Sequence, residues 1–252
     1  MIGSLVAAAA LLGSNPSGVL DGGDLRGAMK ASRSEPAAAP LPGRRFRISI
    51  PFVDGRKRDM KTFQSPARYE YKDGALRVII GLGQITPDNY DQFRQQGLKG
   101  LPPLQSVFFG ATQLRDEVFF RKQLKSDGYS EDRGVRNVTT VYGLAVPYAD
   151  GQSALPPKFQ PLMTYQTRLT SRGYRAMVDG MTLVLEGEVT ALGQNPETFC
   201  GDYSGQLAAD DVTQTTKFTV TSHQCFVTAR IDKVTVQTSD RTALASWGST
   251  RR

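Results

Sequence analysis

Hydrophobic and polar residues alternate along several short stretches of this chain. Alternation with a period of two is typical of β-strands that bury one face. The first stretch places on its buried face Phe46, Ile48, Ile50 and Phe52. Pro51 indicates a strand end or an edge strand, because proline has no backbone N–H to donate to a neighbouring strand. Similar patterns predict strands at residues 76–80, 138–148 and 165–170.

Two Asp-Gly pairs predict tight turns between antiparallel strands. Asp73-Gly74 joins the strand that contains Tyr69 and Tyr71 to the apolar strand 76–80. Asp179-Gly180 predicts a second hairpin, in which six apolar residues share one face: Tyr174, Ala176, Val178, Met181, Leu183 and Leu185. Glu186 and Glu188 then follow on the solvent face of the same strand.

Helical signals occur in the first half of the chain. Thr86 suits the N-cap of a helix and Gly97 suits its end, and residues 112–126 predict a second helix. Because an apolar strand pattern precedes each helix, the order predicts a βαβ unit with a parallel pair of strands. The polar residues 127–136 predict an exposed loop.

The N-terminal segment has a different composition from the rest. Residues 1–12, MIGSLVAAAALL, are apolar and uncharged, and they are too short to span a bilayer as a helix. They resemble the hydrophobic region of a secretory signal peptide, although no Lys or Arg precedes them. Residues 13–43 are rich in Gly, Ala, Ser and Pro, which predicts a flexible linker. The folded part is therefore expected to begin near Arg44.

The chain contains two cysteines, Cys200 and Cys225, and one histidine, His223. An even number of cysteines in a β-rich segment, behind an export-like N-terminus, predicts a disulfide that ties a polar loop to a strand. Closing a loop of this length contributes ~3–4 kcal/mol in the chain-entropy model. His223 is expected in a turn between strands. The disulfide and the apolar N-terminus together predict a periplasmic or secreted protein.

These elements predict an α+β fold that is mostly antiparallel β-sheet, with one or two helices in the first half. Residues 1–43 are the signal-like segment and linker, and residues 44–148 are an α/β segment that opens with a basic strand. The proline-containing stretch 149–161 predicts a domain boundary, and residues 149–252 are an antiparallel β segment that holds the disulfide.

Charge is distributed unevenly along the chain, whose formal net charge is +7. Residues 44–77 hold ten Lys and Arg against four Asp and Glu, whereas residues 186–211 hold six acids and no base. The basic segment supplies a candidate binding patch, consisting of Arg44, Arg45, Arg47, Arg56, Lys57, Arg58 and Lys61. Its aromatic residues alternate on buried positions, which disfavours nucleic acid as a ligand and favours a protein or an anionic envelope component.

The sequence lacks the common catalytic signatures. It has no phosphate-binding G-x-x-x-x-G-K-[ST] loop, no H-E-x-x-H and no G-x-S-x-G. We therefore assign no catalytic residue, expect no cofactor and expect no metal, since a single histidine beside two cysteines lacks zinc-ligand spacing. Paired carboxylates remain a candidate acidic site, formed by Glu186, Glu188 and Asp202.

One local likeness concerns ALRVIIGLGQITPDNYDQFRQQ, followed by LQSVFFGATQLRDEVFFRKQL. These stretches are similar to the first strand–helix–strand–helix units of ClpP/crotonase-like periplasmic proteins. In that family a Gly-rich oxyanion turn follows the second strand, where this chain has residues 109–112, Phe-Gly-Ala-Thr. The family's serine at the head of a later helix has no counterpart here, so the resemblance implies a derivative without peptidase chemistry.

Taken together, the sequence predicts an exported envelope protein that acts as a non-enzymatic binding or interaction module. It predicts no transmembrane span in the mature chain, and it does not determine the oligomeric state. Two alternatives remain. One is a hydrolase, built on the acid pair or derived from the ClpP/crotonase-like proteins. The other is a self-assembling structural protein, favoured by the sheet content and the basic N-terminal arm.

Overall fold

The computed structural model describes residues 18–34, 41–57, 65–85, 103–123, 129–149, 152–191, 197–205 and 217–248. Within these ranges the chain is mostly β-sheet. The elements in chain order are α1 (Gly22–Ser34), β1 (Arg45–Pro51), β2 (Val53–Asp54), β3 (Ala67–Lys72), β4 (Ala75–Gly81), β5 (Gly83–Ile85), β6 (Leu104–Gln123), β7 (Tyr129–Ala149), β8 (Gln152–Ser153), β9 (Leu162–Arg168), α2 (Ser171–Val178), β10 (Thr182–Val189), β11 (Thr198–Gly205), β12 (Lys217–Gln237) and β13 (Ala243–Gly248). Neither helix is long and apolar enough to cross a membrane.

The described strands form two sheets. The larger sheet has the order β1-β10-β12-β7-β6-β5, with β11 and β13 also paired to β12 and β8 paired to β7. The smaller sheet has the order β2-β3-β4-β9. Strands from residues 44–148 and 149–252 pair with each other in both sheets, through β1 with β10, β7 with β12 and β4 with β9.

The predicted fold class is confirmed in its coarse form, because the described chain is mostly strand with two helices. The sheets are mixed rather than antiparallel throughout, since β7 runs parallel to β12 and β2 runs parallel to β3. The alternation in β1 is confirmed, with every second residue buried. The first Asp-Gly hairpin is also confirmed: Asp73 and Gly74 have φ of 50° and 75°, as a two-residue turn between β3 and β4 requires.

Strand β12 pairs with four other strands, more than any other described strand of the larger sheet. Along one edge it pairs with β10 at residues 229–237 and with β11 at residues 220–227. Along the other edge it pairs with β7 at residues 217–228 and with β13 at residues 233–237. Residues 217–237 thus form one continuous strand with four neighbours.

The main core lies between the two sheets and α1. The smaller sheet contributes Leu76 and Ile80, and the larger sheet contributes Leu183, Val227 and Val234, all with no more than traces of exposed surface. A second buried cluster is formed by Ile85, Leu104, Ala145, Phe199 and Phe226. Consecutive residues of β12 therefore join different clusters, so this strand is buried on both faces.

The prediction of a linker before Arg44 is wrong for the stretch that forms α1. Asp21 accepts hydrogen bonds from the backbone N–H groups of Gly23 and Asp24 at 2.7 and 2.9 Å, which caps the helix. Leu25 and Met29 lie four residues apart on one helical face and are fully buried. The helix was not predicted because its apolar stripe is narrow and is surrounded by small residues that are typical of linkers.

The second predicted hairpin is wrong, because the residues before Asp179 form α2 and not a strand. The Thr170 hydroxyl accepts a hydrogen bond from the N–H of Gly173 at 3.1 Å and caps the helix. Gly180, with φ of 67°, reverses the chain after the helix, as glycine does at many helix ends. Apolar residues at 174, 177, 178 and 181 also fit a helical period, so the alternation was ambiguous.

The second predicted strand–helix unit is also wrong. Residues 112–123 continue the strand β6 and pair with β7 in a long antiparallel hairpin, and the polar residues from 129 onward belong to β7 and not to a loop. Pairing along a neighbouring strand outweighs the weak helical preference of this segment. The other predicted helix, residues 86–97, lies outside the described residues.

A β-bulge at Asp232 interrupts the pairing of β12 with β10. Gly187 faces the bulge so closely that a Cβ there would overlap the carbonyl oxygen of Arg230 and lie 2.8 Å from the ring of Phe46. Gly248 approaches the carbonyl oxygen of Asp232 in the same way from β13. The bulge therefore requires glycine in both neighbouring strands.

We expect Gly187→Ala to destabilise the protein by about 3 kcal/mol, because a backbone atom and a buried ring must both move to admit one methyl group. Gly27→Ala is the matched control, since a Cβ at this exposed position of α1 meets nothing within 4 Å. That change should stabilise by up to about 1 kcal/mol through helix propensity. Urea unfolding of both variants measures the difference, and equal stabilities would contradict this account of the bulge.

Candidate functional site

The predicted basic and acidic segments meet on the outer face of the larger sheet. Strand β1 pairs with β10 so that Arg47 lies opposite Glu186. An Arg47 Nη1 atom lies 2.6 Å from Glu186 Oε1, and Lys233 Nζ of β12 lies 3.9 Å from Glu186 Oε2. Glu186 is thus held between cations from both neighbouring strands.

Glu188 has a similar environment two residues further along β10. Arg230 Nη2 lies 3.1 Å from Glu188 Oε2, and Arg230 Nε lies 2.8 Å from Asp232 Oδ1. The hydrogen bond with Asp232 raises the pKa of Arg230, so this guanidinium stays charged. The two glutamates share one face as predicted, but each is already engaged by a basic partner.

The third predicted acid, Asp202, does not join the two glutamates. It lies in β11 at the position opposite His223, whereas Glu188 lies opposite Arg230. These positions are seven residues apart on β12, or ~23 Å along a strand. Among the described residues the candidate acidic site is therefore divided, and its two glutamates act as links between strands.

The predicted basic patch is divided as well. Arg44 directly precedes the edge strand β1, and Arg45 and Arg47 lie in its first three residues, where both are exposed. Arg56 instead forms a two-pronged ion pair with Asp54 after β2, at 2.8 Å from Nη2 to Oδ2 and 3.0 Å from Nε to Oδ1. Lys57 is exposed next to it. The remaining members, Arg58 and Lys61, lie outside the described residues.

The two cysteines are bonded, with sulfur atoms 2.07 Å apart. Cys200 lies in β11 directly opposite Cys225 in β12, so the predicted tie between a loop and a strand is a bond between paired strands. His223 also lies within β12, and the prediction of a turn there is wrong. In the part of the chain that the structure describes, no three His, Cys, Asp or Glu residues gather in a group that could hold a metal ion.

An apolar cleft is lined by residues of both sheets. Its volume is about 300 Å³. Four elements of the sheets and the end of α2 line it, through Leu76, Val78, Tyr165, Gln166, Thr167, Met177, Met181, Val236, Leu244 and Ala245. This lining contains no carboxylate, histidine or cysteine, so the cleft is built to hold apolar groups and not to transfer protons.

Two strand edges with open hydrogen-bonding groups flank this cleft. Among the described strands, β9 pairs only with β4 and β13 pairs only with β12. Tyr165 of β9 and Leu244 of β13 are 44 % and 42 % exposed, which is unusual for large apolar residues beside a core. The ring of Trp247 lies 6.2 Å from that of Tyr165 and 5.4 Å from that of Phe159.

Three exposed arginines lie close in sequence to residues that line the cleft. Arg168 directly follows the lining residue Thr167, Arg175 comes two residues before Met177 in α2, and Arg241 lies in the turn three residues before Leu244. All three arginines are exposed. Within the described chain no ion pair engages these three guanidinium groups. They are available to an acidic ligand.

Sequence reasoning missed the cleft, since its lining comes from segments more than 150 residues apart in the chain. The nearest signal in the sequence is the single tryptophan, Trp247, whose ring packs against Phe159 and Tyr165 beside the cleft.

Arg56 also gives a pH-dependent contribution to stability. Its hydrogen bonds hold the pKa of Asp54 below the ordinary value of 3.8. A carboxyl group with a lowered pKa in the folded state stabilises the fold above its unfolded pKa and loses that contribution as pH falls. We therefore expect wild type to be more stable than Arg56→Gln near neutral pH, with the difference shrinking below pH 4.

Unfolding measured between pH 3 and pH 7 tests this expectation. Lys57→Gln is the matched control, because Lys57 affects Asp54 only through a weak charge interaction. A stability difference between wild type and Arg56→Gln that does not change with pH would contradict it.

Comparison of the chain with protein-family models, with curated proteins and with solved structures found no match in any of the three.

Proposed function

We propose that this protein is an exported, non-enzymatic binding module that holds an extended apolar peptide segment in the cleft between β9 and β13. The observation that carries the proposal is the combination of an apolar cleft with an open strand edge on each side. An extended peptide satisfies the N–H and C=O groups of such an edge and inserts alternate side chains into the pocket.

The dimensions of the flanking strands suit a short segment. Strand β9 has seven residues and β13 has six, so each offers an edge for about half a dozen residues of peptide. Tyr165, Leu244 and the neighbouring Trp247 supply large surfaces with few rotatable bonds, which are typical of binding sites. The lining methionines, Met177 and Met181, adapt to different apolar side chains.

The exposed arginines that neighbour the lining residues in sequence indicate the charge of the ligand. Arg168, Arg175 and Arg241 have no ionic partner within the described chain. A segment with an apolar centre and an acidic residue at either end complements both the cleft and these arginines.

Two observations favour a binding role over the hydrolase alternative. Glu186 and Glu188 are already paired with Arg47, Lys233 and Arg230, which removes the free acid and base that hydrolysis requires. The cleft itself is lined without acid or base groups other than the phenol of Tyr165.

Export is supported by the disulfide and by the apolar N-terminus. The bond between Cys200 and Cys225 is buried, and disulfides form and persist in oxidising compartments such as the periplasm. A partner is therefore expected among proteins of the envelope or the outside of the cell.

The binding prediction can be tested through the single tryptophan of the chain. We expect a synthetic heptapeptide that alternates Val or Leu with Thr, and that has Asp at both ends, to change the fluorescence of Trp247 saturably. The same peptide with N-methyl groups on alternate backbone nitrogens should bind at least about tenfold more weakly, because it cannot donate hydrogen bonds to a strand edge.

Leu244→Asp should weaken the binding of the unmethylated peptide by about tenfold or more, since it places a charge in the apolar cleft. Leu162→Asp is the matched control: Leu162 lies on β9, is 66 % exposed and does not line the cleft. No binding of the peptide, or saturable binding of dodecanoate in its place, would contradict a peptide site.

The export prediction is tested by the mass of the protein purified from its native host. We expect a shortened N-terminus and no reaction of the thiols with iodoacetamide unless a reductant is added first. A full-length chain with two alkylated cysteines would contradict export and the oxidising compartment.

A further inference from the structure

Strand β6 has a long edge that no described strand covers. Along one side it pairs with β7 over its full length, from Leu104 to Gln123. On the other side β5 pairs with residues 104–106 alone. Residues 107–123 therefore present backbone N–H and C=O groups at the border of the larger sheet, which is a ready template for another strand.

The sequence of this edge is complementary to itself when two copies run antiparallel. In the register centred on Phe119, residues equally far before and after position 119 lie opposite each other in the two copies. Val118 then lies opposite Phe120, Glu117 opposite Arg121, and Asp116 opposite Lys122. Two-fold symmetry repeats every one of these pairs, so four oppositely charged pairs flank an apolar centre.

No other register of the strand with itself is as favourable. Of all antiparallel registers of residues 107–123 with a second copy, only the one centred on Phe119 pairs two different acidic positions with basic ones and no like charges. Moving the partner strand by one residue in one direction places Arg115 opposite Lys122, which is a pair of like charges. Moving it by one residue in the other direction leaves Glu117 with Lys122 as the one oppositely charged combination. Opposite charges across paired strands stabilise and like charges destabilise, so the charge pattern selects one register.

We propose that the edge of β6 binds a second copy of this chain, in a two-fold homodimer whose strands pair antiparallel about Phe119. The pairing extends the strands β11, β12, β7 and β6 of one protomer into those of its partner, as one continuous sheet. Because the same surface is used by both copies, the assembly closes at two protomers. A mixed-sign charge pattern that served only to keep the edge soluble would not need this symmetry.

The dimer edge lies far from the peptide cleft. Phe119 is at the level of Arg133 in β7, close to the pairing of Gly134 with Lys217 at the start of β12, whereas the cleft residue Val236 is near the other end of that strand. About 60 Å of strand separate the two levels. Dimerisation and peptide binding are therefore independent, and failure of one leaves the other standing.

Sedimentation equilibrium of the full chain tests the proposal. We expect a reversible monomer–dimer equilibrium for wild type. Glu117→Lys should weaken dimerisation by about tenfold or more, because two opposite pairs become two like pairs. Within the protomer Glu117 lies opposite Val135, so this change creates no like-charge pair with β7.

A pair of charge-reversed variants that restores dimerisation when combined would distinguish this interface from a dimer formed through another surface. Within the protomer Arg121 lies opposite Glu131, so every Arg121→Glu variant and its reference chain also carry Glu131→Gln. Against that reference, Arg121→Glu should also weaken dimerisation, whereas Glu117→Lys combined with Arg121→Glu should restore it, as should an equal mixture of the two single variants. Arg115→Glu is the matched control, because position 115 faces Gln123 in the proposed register. It should leave the dissociation constant within about twofold.

Circular dichroism confirms that each variant is folded before its mass is interpreted. A wild-type chain that stays monomeric at its highest soluble concentration would overturn the proposal. So would a dimer that Glu117→Lys leaves unchanged, or one that the double variant fails to restore.

Discussion

Backbone hydrogen bonding along both edges of β12 is the interaction on which the rest of the fold depends. This strand of 21 residues pairs with β10 and β11 on one side and with β7 and β13 on the other. It also contributes alternate residues to two buried clusters, so Val227 and Phe226 face different parts of the core. Loss of pairing here would open the larger sheet at its centre.

Three devices hold neighbouring strands in register with β12. The disulfide joins Cys225 to the residue directly opposite it in β11. At Thr228, where β10 gives way to β11, a fully buried hydroxyl donates a hydrogen bond to the carbonyl of Thr190. The bulge at Asp232 fits only because Gly187 lacks a side chain. Each device fixes a position at which the ladder of hydrogen bonds would otherwise slip.

The charged residues of β1, β10 and β12 form ion pairs between neighbouring strands and so stabilise their arrangement. A basic strand and an acidic strand lie side by side, so that Arg47 and Glu186 neutralise each other across β1 and β10. Among the described strands, unpaired edges include those at the cleft beside β9 and β13 and the one along β6. Open edges of this kind carry both the proposed peptide site and the proposed dimer contact.

The sequence by itself determined the strand β1, the first Asp-Gly hairpin, the mostly β character and the cysteine pair, because each follows from local alternation, turn chemistry or composition. It did not determine α2 or the outer half of β6, since apolar residues at 174–181 fit two periods and residues 112–123 have weak preferences that a neighbouring strand overrides. The cleft and the division of the acidic site were decided only by tertiary structure. That Val78 and Val236 line one cleft, and that Glu188 and Asp202 lie apart, depends on which strands become neighbours, and that choice rests on pairing between distant segments.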